Sequence, residues 1–292
     1  MEDRIITYGG QAVLEGVLMR GQKALAIAMR APDGSITIHT EKLAKVYRSG
    51  ITKVPFIRGV ILLWDALGLG MKALTISANT QTGEDEKLEG PALYLTLGLS
   101  MTIGIGLFFL LPAGIGGAAE HYLGWSSWLN NLTEGLVRLG LLVGYVWAIS
   151  FMPDVKRLFM YHGAEHKTIN AFEAGVELTP EVVAKYPIEH ARCGTAFLLT
   201  LVLLSILVFT LLGPMPLLWR LATRILFIPV LAGIAIEYIR WTANHLDSPF
   251  VQFLIKPNLA LQHLTTRTPD LAMLEVAIQS FQSMRKAESE AG

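Results

Sequence analysis

His162 and His166 stand four residues apart in the segment Tyr161-His162-Gly163-Ala164-Glu165-His166-Lys167. On an α-helix that spacing puts both imidazoles on one face, one turn apart, where two neutral rings can hold one divalent metal. The pattern H-x-x-E-H is the zinc-protease helix motif in reverse. Glu165, beside His166, is placed to take a proton from a metal-bound water. Zinc is the expected cofactor, and three further groups compete to be its third ligand. Glu173 lies on the same helical face as the two histidines, together with Asn170. His190 and Cys193 return to the same side of the chain's apolar segments in His190-Ala191-Arg192-Cys193-Gly194-Thr195. Glu237 stands near the end of the last apolar segment with Arg240, followed by Asn244, His245 and Asp247. Arg192 or Arg240 would steady negative charge developing on a substrate.

Each of these residues also has a bland reading. A match to three fixed positions arises often by chance. Glu165 would then pair with Lys167 or Arg192. Cys193 would be a small buried residue, and Glu237 with Arg240 an ion pair three residues apart at a helix end.

The elements that position these groups follow from hydropathy. Of 292 residues, 52% are hydrophobic and only 16% charged, against about 25% charged in soluble domains. Mean hydropathy is +0.45, which calls for several membrane helices. Four spans are expected, over Pro91–Ala113, Leu136–Met152, Thr195–Leu212 and Leu221–Ile239, each near the roughly 17–25 residues a bilayer requires. Pro229 should kink the last. Val54–Ile76 is long enough to span, but Arg58, Asp65 and Lys72 recur every seven residues along it. That stripe predicts an amphipathic interfacial or re-entrant helix, with a face buried against other helices as the other choice. Ser77–Gly90, carrying Glu84-Asp85-Glu86-Lys87, reads as a polar loop.

Before these segments, residues 1–53 read as a small β-rich unit. Ala24–Met29 and Ser35–Thr40 are strand-like, and Pro32-Asp33-Gly34 is the turn between them. Gly9, Gly10, Gly16 and Gly21 mark tight backbone ahead of that hairpin, and Glu15 with Arg20 suggests a structural ion pair. Residues 54–250 form the membrane domain, with the H-x-x-E-H connection at 154–194. Its helix should start at Pro153-Asp154 and run to about Ala174, with Gly175 as the stop. Residues 251–292 form a tail. There Thr268 is the expected cap of a helix with Pro269 at its first position and an apolar stripe of Leu271, Leu274, Ala277, Phe281 and Met284.

Lys and Arg set the orientation. The 114–135 connection has neither, while 154–194 has Lys156, Arg157, Lys167, Lys185 and Arg192. Both termini and the histidine helix should therefore face the cytoplasm, in a multi-pass inner-membrane protein. A net charge of zero argues against nucleic acid as a partner. The single cysteine, Cys193, excludes an intrachain disulfide. Gly104, Gly106, Gly140 and Gly144 could let long uncharged helices pack against a neighbouring copy, making a homo-oligomer.

Several blocks in order resemble the YqhQ-like family (domain of unknown function 1385). They are the run from Gly9 to Gly21 (GGQAVLEGVLMRG), the segment from Tyr161 to Lys167, the segment from His190 to Thr195, and the tail from Leu264 to Asp270 leading into Leu274-Glu275-Val276-Ala277. The resemblance covers nearly the whole chain. It implies a polytopic bacterial membrane protein, described at most as a candidate metal-dependent enzyme. Ala191 stands where the family pattern has proline, which loosens the turn before Cys193 and spares His190 and Cys193.

Two functions from different classes follow. The first is a membrane-embedded metal-dependent hydrolase, with Glu165 as general base and a membrane peptide or lipid as substrate, reached from the cytoplasmic leaflet of the bilayer. Against it, inverted zinc proteases are usually soluble. The alternative is a non-enzymatic transporter or assembly scaffold, with a structural metal or a polar cytoplasmic vestibule.

Overall fold

The structure, a computed structural model, describes residues 8–44, 54–82, 90–213 and 215–291. Strands β1 (Gly9–Val13), β2 (Gly16–Arg20), β3 (Ala24–Arg30) and β4 (Ile36–Lys42) form one antiparallel sheet in sequence order. The expected hairpin is β3–β4, turned at Gly34 (φ 87°), where Asp33 Oδ1 accepts the Ser35 N–H at 2.9 Å. The glycines ahead of it belong to a second hairpin, β1–β2, with Glu15 at φ 52° in its turn. Glu15 and Arg20 do not pair as expected, because Glu15 lies in the turn before β2 and Arg20 ends that strand, about 16 Å away at the rise of a strand. Arg157 takes the Glu15 carboxylate instead, through Nε and Nη2 at 2.5 Å each.

Alternation along the strands builds two cores. Val17, Met19, Ala26 and Ala28 face one way, and Val13, Leu18, Leu25, Ile27 and Met29 the other. The second face is covered by α1 (Ile57–Gln81) through Leu69, Ala73, Leu74 and Ile76. The other end of α1 crosses α9, close enough that a Cβ on Gly59 would lie 2.6 Å from Gly233 Cα. So α1 ties the sheet to the membrane helices. The Asp65 side chain and residues 83–89, with the acidic loop, lie outside the described residues.

Four helical segments are long and apolar enough to cross a membrane. The first, Gly90–Leu123, joins α2 (Gly90–Ile105), a π-helical turn (Gly106–Leu110) and α3 (Leu111–Leu123). The second is α4 (Ser127–Ile149). Then α5 (Pro153–Glu173) and the short α6 (Pro180–Val183) lead to α7 (Gly194–Leu211), the third. The fourth, Leu218–Ala243, is α8 (Leu217–Leu226) and α9 (Ile228–Ala243), broken at Phe227 just before Pro229. Helices α10 (Pro249–Thr265) and α11 (Leu271–Glu290) end the chain. The protein is thus a mainly α-helical membrane protein with a small N-terminal sheet.

The tail helix covers the other sheet face. Its Leu274, Ala277, Phe281 and Met284 are buried with Tyr161, Ala164 and Ile169 of α5, while Leu271 is exposed. Its cap is Asp270, whose side chain accepts the Met273 N–H at 2.8 Å, in place of the expected Thr268. Aspartate there satisfies a free amide and suits the positive helix end.

Candidate metal centre

Helix α5 starts on Pro153 and stops at Gly175 (φ 72°), where glycine reverses the chain. Between these ends, nearly every residue from Tyr161 to Ile169 is buried. Gly163 is what lets the face carrying the histidines pack so closely. A Cβ there would overlap the Arg267 carbonyl oxygen. The same approach lets Arg267 N–H bond the Phe159 carbonyl at 2.9 Å and brings the Thr265 carbonyl to 2.8 Å from His162 Nδ1. His166 Nδ1 lies 2.5 Å from the Ile188 carbonyl.

A carbonyl only accepts, so each Nδ1 carries the proton and each Nε2 of the neutral ring keeps its lone pair. His162 Nε2 lies 3.2 Å from Cys193 Sγ. His166 Nε2 is buried with no hydrogen-bond partner. Cys193 caps α7, where its sulfur also lies 3.4 Å from the Thr195 N–H and 3.1 Å from Thr195 Oγ1. One donor atom from each of His162, His166 and Cys193 lies within 4.8 Å of the others. Donors sharing one tetrahedral zinc lie about 3.3–3.6 Å apart, so the widest pair must draw together by up to about 1 Å on a bound ion. Two imidazoles and a sulfur are the donors zinc accepts, and histidines fixed through Nδ1 by carbonyls are the usual second layer of such sites. The residues therefore fit a metal.

The remaining expected site residues lie around this group or away from it. Glu165 turns its carboxylate against β1. A Cβ on Gly10 would come within 2.9 Å of Glu165 Cδ, and the Gly10 N–H bonds the carboxylate. Its Oε2 is buried with no partner. Burial pushes this carboxyl up to about 7, against the opposing pull of His162 and the Gly10 N–H. Lys167 does not pair with Glu165, because its ammonium bonds the Ala184 and Tyr186 carbonyls. Asn170 Nδ2 holds the Pro187 and Glu189 carbonyls at 2.9 Å each.

Glu173, His190 and Arg192 form their own group beside the centre. Arg192 is ion-paired to Glu173 and lies 3.3 Å from His190 Nε2, with Glu173 Oε2 3.7 Å from that nitrogen. Burial pushes the Glu173 carboxyl up, but His190 and Arg192 together outweigh it and hold it below its ordinary value. Burial lowers His190, assisted by Arg192 and His166 and opposed by Glu173. The His166 and His190 ring centroids are 5.7 Å apart. Glu237 is not part of either group. Its carboxylate is ion-paired to Arg58 and accepts the Phe56 N–H at 3.2 Å, so it ties α9 to α1. Residues that sequence reasoning missed are the ones that aim the rings: Gly163, Thr265, Ile188 and Gln262. A glycine inside H-x-x-E-H was the available signal.

No solved structure matches this chain. A family model described as protein of unknown function DUF1385 matches residues 54–287. The chain is 35% identical to "Uncharacterized protein YqhQ" of Bacillus subtilis (strain 168), over 97% of its own length and 93% of that protein's. By both comparisons, the chain belongs to the DUF1385 family.

Proposed function

We propose that the protein is a membrane-embedded metal-dependent hydrolase working at the cytoplasmic face, with His162, His166 and Cys193 holding a divalent metal, zinc first. One observation carries this reading. Donors from α5 and from the cap of α7 converge, and His166 Nε2 is buried among them with nothing to bond. When bound at three protein ligands, zinc supplies Lewis-acid polarisation and a nucleophile at neutral pH. The chain's own residues do the rest. Thr265 and Ile188 fix the ring orientations, and Gly10 steadies Glu165 while its Oε2 stays available as a proton acceptor. Arg192 is held by Glu173 with its Nε free to donate to developing negative charge. The substrate class is a membrane peptide or lipid. The Lys and Arg of the 154–194 connection support the cytoplasmic side, and the open faces of Gly104, Gly106, Gly140 and Gly144 support a homo-oligomer.

A second reading, a scaffold or transporter with a structural metal, is favoured by burial. His166 is 1% exposed and Cys193 6%. Metal analysis of protein purified without added metal separates the readings when joined to turnover. The expected result is about one zinc per chain, lost in His162→Ala, His166→Ala and Cys193→Ser. Glu165→Gln should keep the zinc and lose hydrolysis of membrane peptides or phospholipids. Zinc absent from the unaltered protein would sink both readings, and a Glu165→Gln protein with unchanged phenotype would leave the scaffold.

A further inference from the structure

Helix α10 is not among the four spans, yet it is bonded inside two of them. Asn258 Nδ2 donates to Thr200 Oγ1 of the third span at 3.4 Å, and Tyr238 of the fourth donates its hydroxyl to the Leu254 carbonyl at 3.2 Å. The face making these contacts buries Val251, Ile255, Asn258, Leu261 and Gln262. Its opposite face is open. Phe250 and Phe253 are 64% and 66% exposed, Lys256 and Pro257 are exposed beside them, and the Lys256 ammonium lies 5.8 Å from the Phe253 ring centroid. Exposed Trp241 and Leu246 carry the patch back towards α9.

We propose that this face of α10 docks on phospholipid, with Phe250 and Phe253 in the acyl boundary and Lys256 at the phosphates. Depth is the first argument. Leu198 and Leu203, on either side of Thr200, are themselves open outwards from α7, so lipid reaches the level at which α10 is bonded. Charge is the second. A second copy seated on the patch about a two-fold axis would set Lys256 against its own counterpart, whereas a phosphate complements it. A phenyl ring beneath a lysine stem is the pairing found where one end is apolar and the other wet. The inference does not depend on whether the metal is catalytic. It does reach the centre, because the far end of α10 supplies the Thr265 carbonyl to His162, and Gln262 brackets the His190 backbone through bonds of 3.0 and 2.9 Å. The seat of this helix in lipid thus sets where both histidines stand.

Photo-crosslinking in the full-length protein tests it, in vesicles of phosphatidylethanolamine and phosphatidylglycerol. Benzoylphenylalanine replaces Phe253, Leu207 on the open face of α7, or Ile38 on β4, each exposed in the free chain. Phospholipid adducts at 253 should match those at 207 and exceed those at 38 about tenfold. Lys256→Glu should lower the phosphatidylglycerol share at 253 about twofold and leave it unchanged at 207. Adducts at 253 that join a second copy or another protein would overturn the proposal. So would a lipid yield at 253 no higher than at 38 while 207 labels normally. A phosphatidylglycerol share indifferent to Lys256→Glu would overturn the phosphate contact.

Discussion

Two clusters of buried polar side chains sit at opposite ends of α7, and they are finished differently. Cys193 caps the start of the helix in the His162–His166 group. Just past its end, the Gly213 carbonyl lies 3.5 Å from Asn131 Nδ2, at the edge of a cluster of Asn131, Glu134, Arg138 and Arg224. There the Glu134 carboxylate is saturated: Arg138 Nη2 lies 2.8 Å away, and Arg224 Nε and Nη2 each 3.1 Å. Arg138 Nε also bonds the Phe108 carbonyl, in the π-helical turn of the first span, at 3.0 Å. Arg224 Nη1 has no hydrogen-bond partner, but its guanidinium lies 4.3 Å over the Phe209 ring, which attracts a cation. At the histidine end three atoms are open, the acceptors His166 Nε2 and Glu165 Oε2 and, beside them, the donor Arg192 Nε. A buried polar group left open costs stability. The Glu134 cluster reads as a lock between spans and the histidine cluster as a place prepared for something to bind.

The sharpest way to break that contrast is to remove Glu134. Glu134→Ala leaves Arg138 and Arg224, 6% and 2% exposed, without their counter-charge. Breaking a buried pair from one side costs about 3–5 kcal/mol. The reconstituted protein should therefore unfold at distinctly lower denaturant, while any folded fraction keeps whatever metal the unaltered protein binds. A loss of bound metal without a loss of stability would mean that the far cluster is coupled to the centre and is no mere lock.

Gly163→Ala sharpens the other side of the comparison. The added methyl meets the Arg267 carbonyl, a backbone atom that can yield only by shifting the 265–269 segment. Overpacking of this kind costs about 1–3 kcal/mol. It also draws the Thr265 carbonyl away from His162 Nδ1, and losing such an outer partner weakens a metal site by roughly 10–100-fold. Competition with a chelator would read the second effect. Zinc affinity unchanged at reduced stability would show that Thr265 does not orient the ring.

How far the sequence revealed these arrangements depends on the range of the interactions. Helix α5 was legible from end to end, because Pro153, Asp154 and Gly175 act within a turn of themselves. The pairing of His162 with His166 was legible for the same reason. The β1–β2 hairpin was not, since Gly9, Gly10 and Gly16 hide a strand pattern that shows only once α5 and α1 cover it. Helix α10 was missed because Pro257 and its polar face break the apolar run that marks a span. The partners of the charged residues were the least legible. Glu15 goes to Arg157 and Glu237 to Arg58, more than a hundred residues away in each case, and no spacing rule reaches that far. Arg20, the expected partner of Glu15, is taken elsewhere by the run of its strand.

The Glu15–Arg157 pair offers the smallest and cleanest test, because it joins the sheet to the histidine helix from the outside. The hydrogen bond from Arg157 is the main reason the Glu15 carboxyl is held below its ordinary value of 4.5, with burial opposing and Tyr161 assisting at 3.2 Å. An acid lowered in the folded state stabilises it above the unfolded value, and that contribution fades as pH falls through the folded value. The Arg157 side chain is 51% exposed, so solvent screening keeps the contribution to about 0.2–1 kcal/mol. Unfolding of the unaltered protein and of Glu15→Gln should therefore differ slightly at about pH 7, begin to converge as pH falls below 4.5, and coincide only once it has passed the lowered folded value. High salt should narrow the difference at neutral pH as well. If the gap instead persists in acid, the attachment of the sheet to α5 rests on the apolar core of Tyr161, Ala164 and Phe281 and not on this ion pair. The histidine helix would then be anchored as the far cluster is not: by packing, with its charges spared for chemistry.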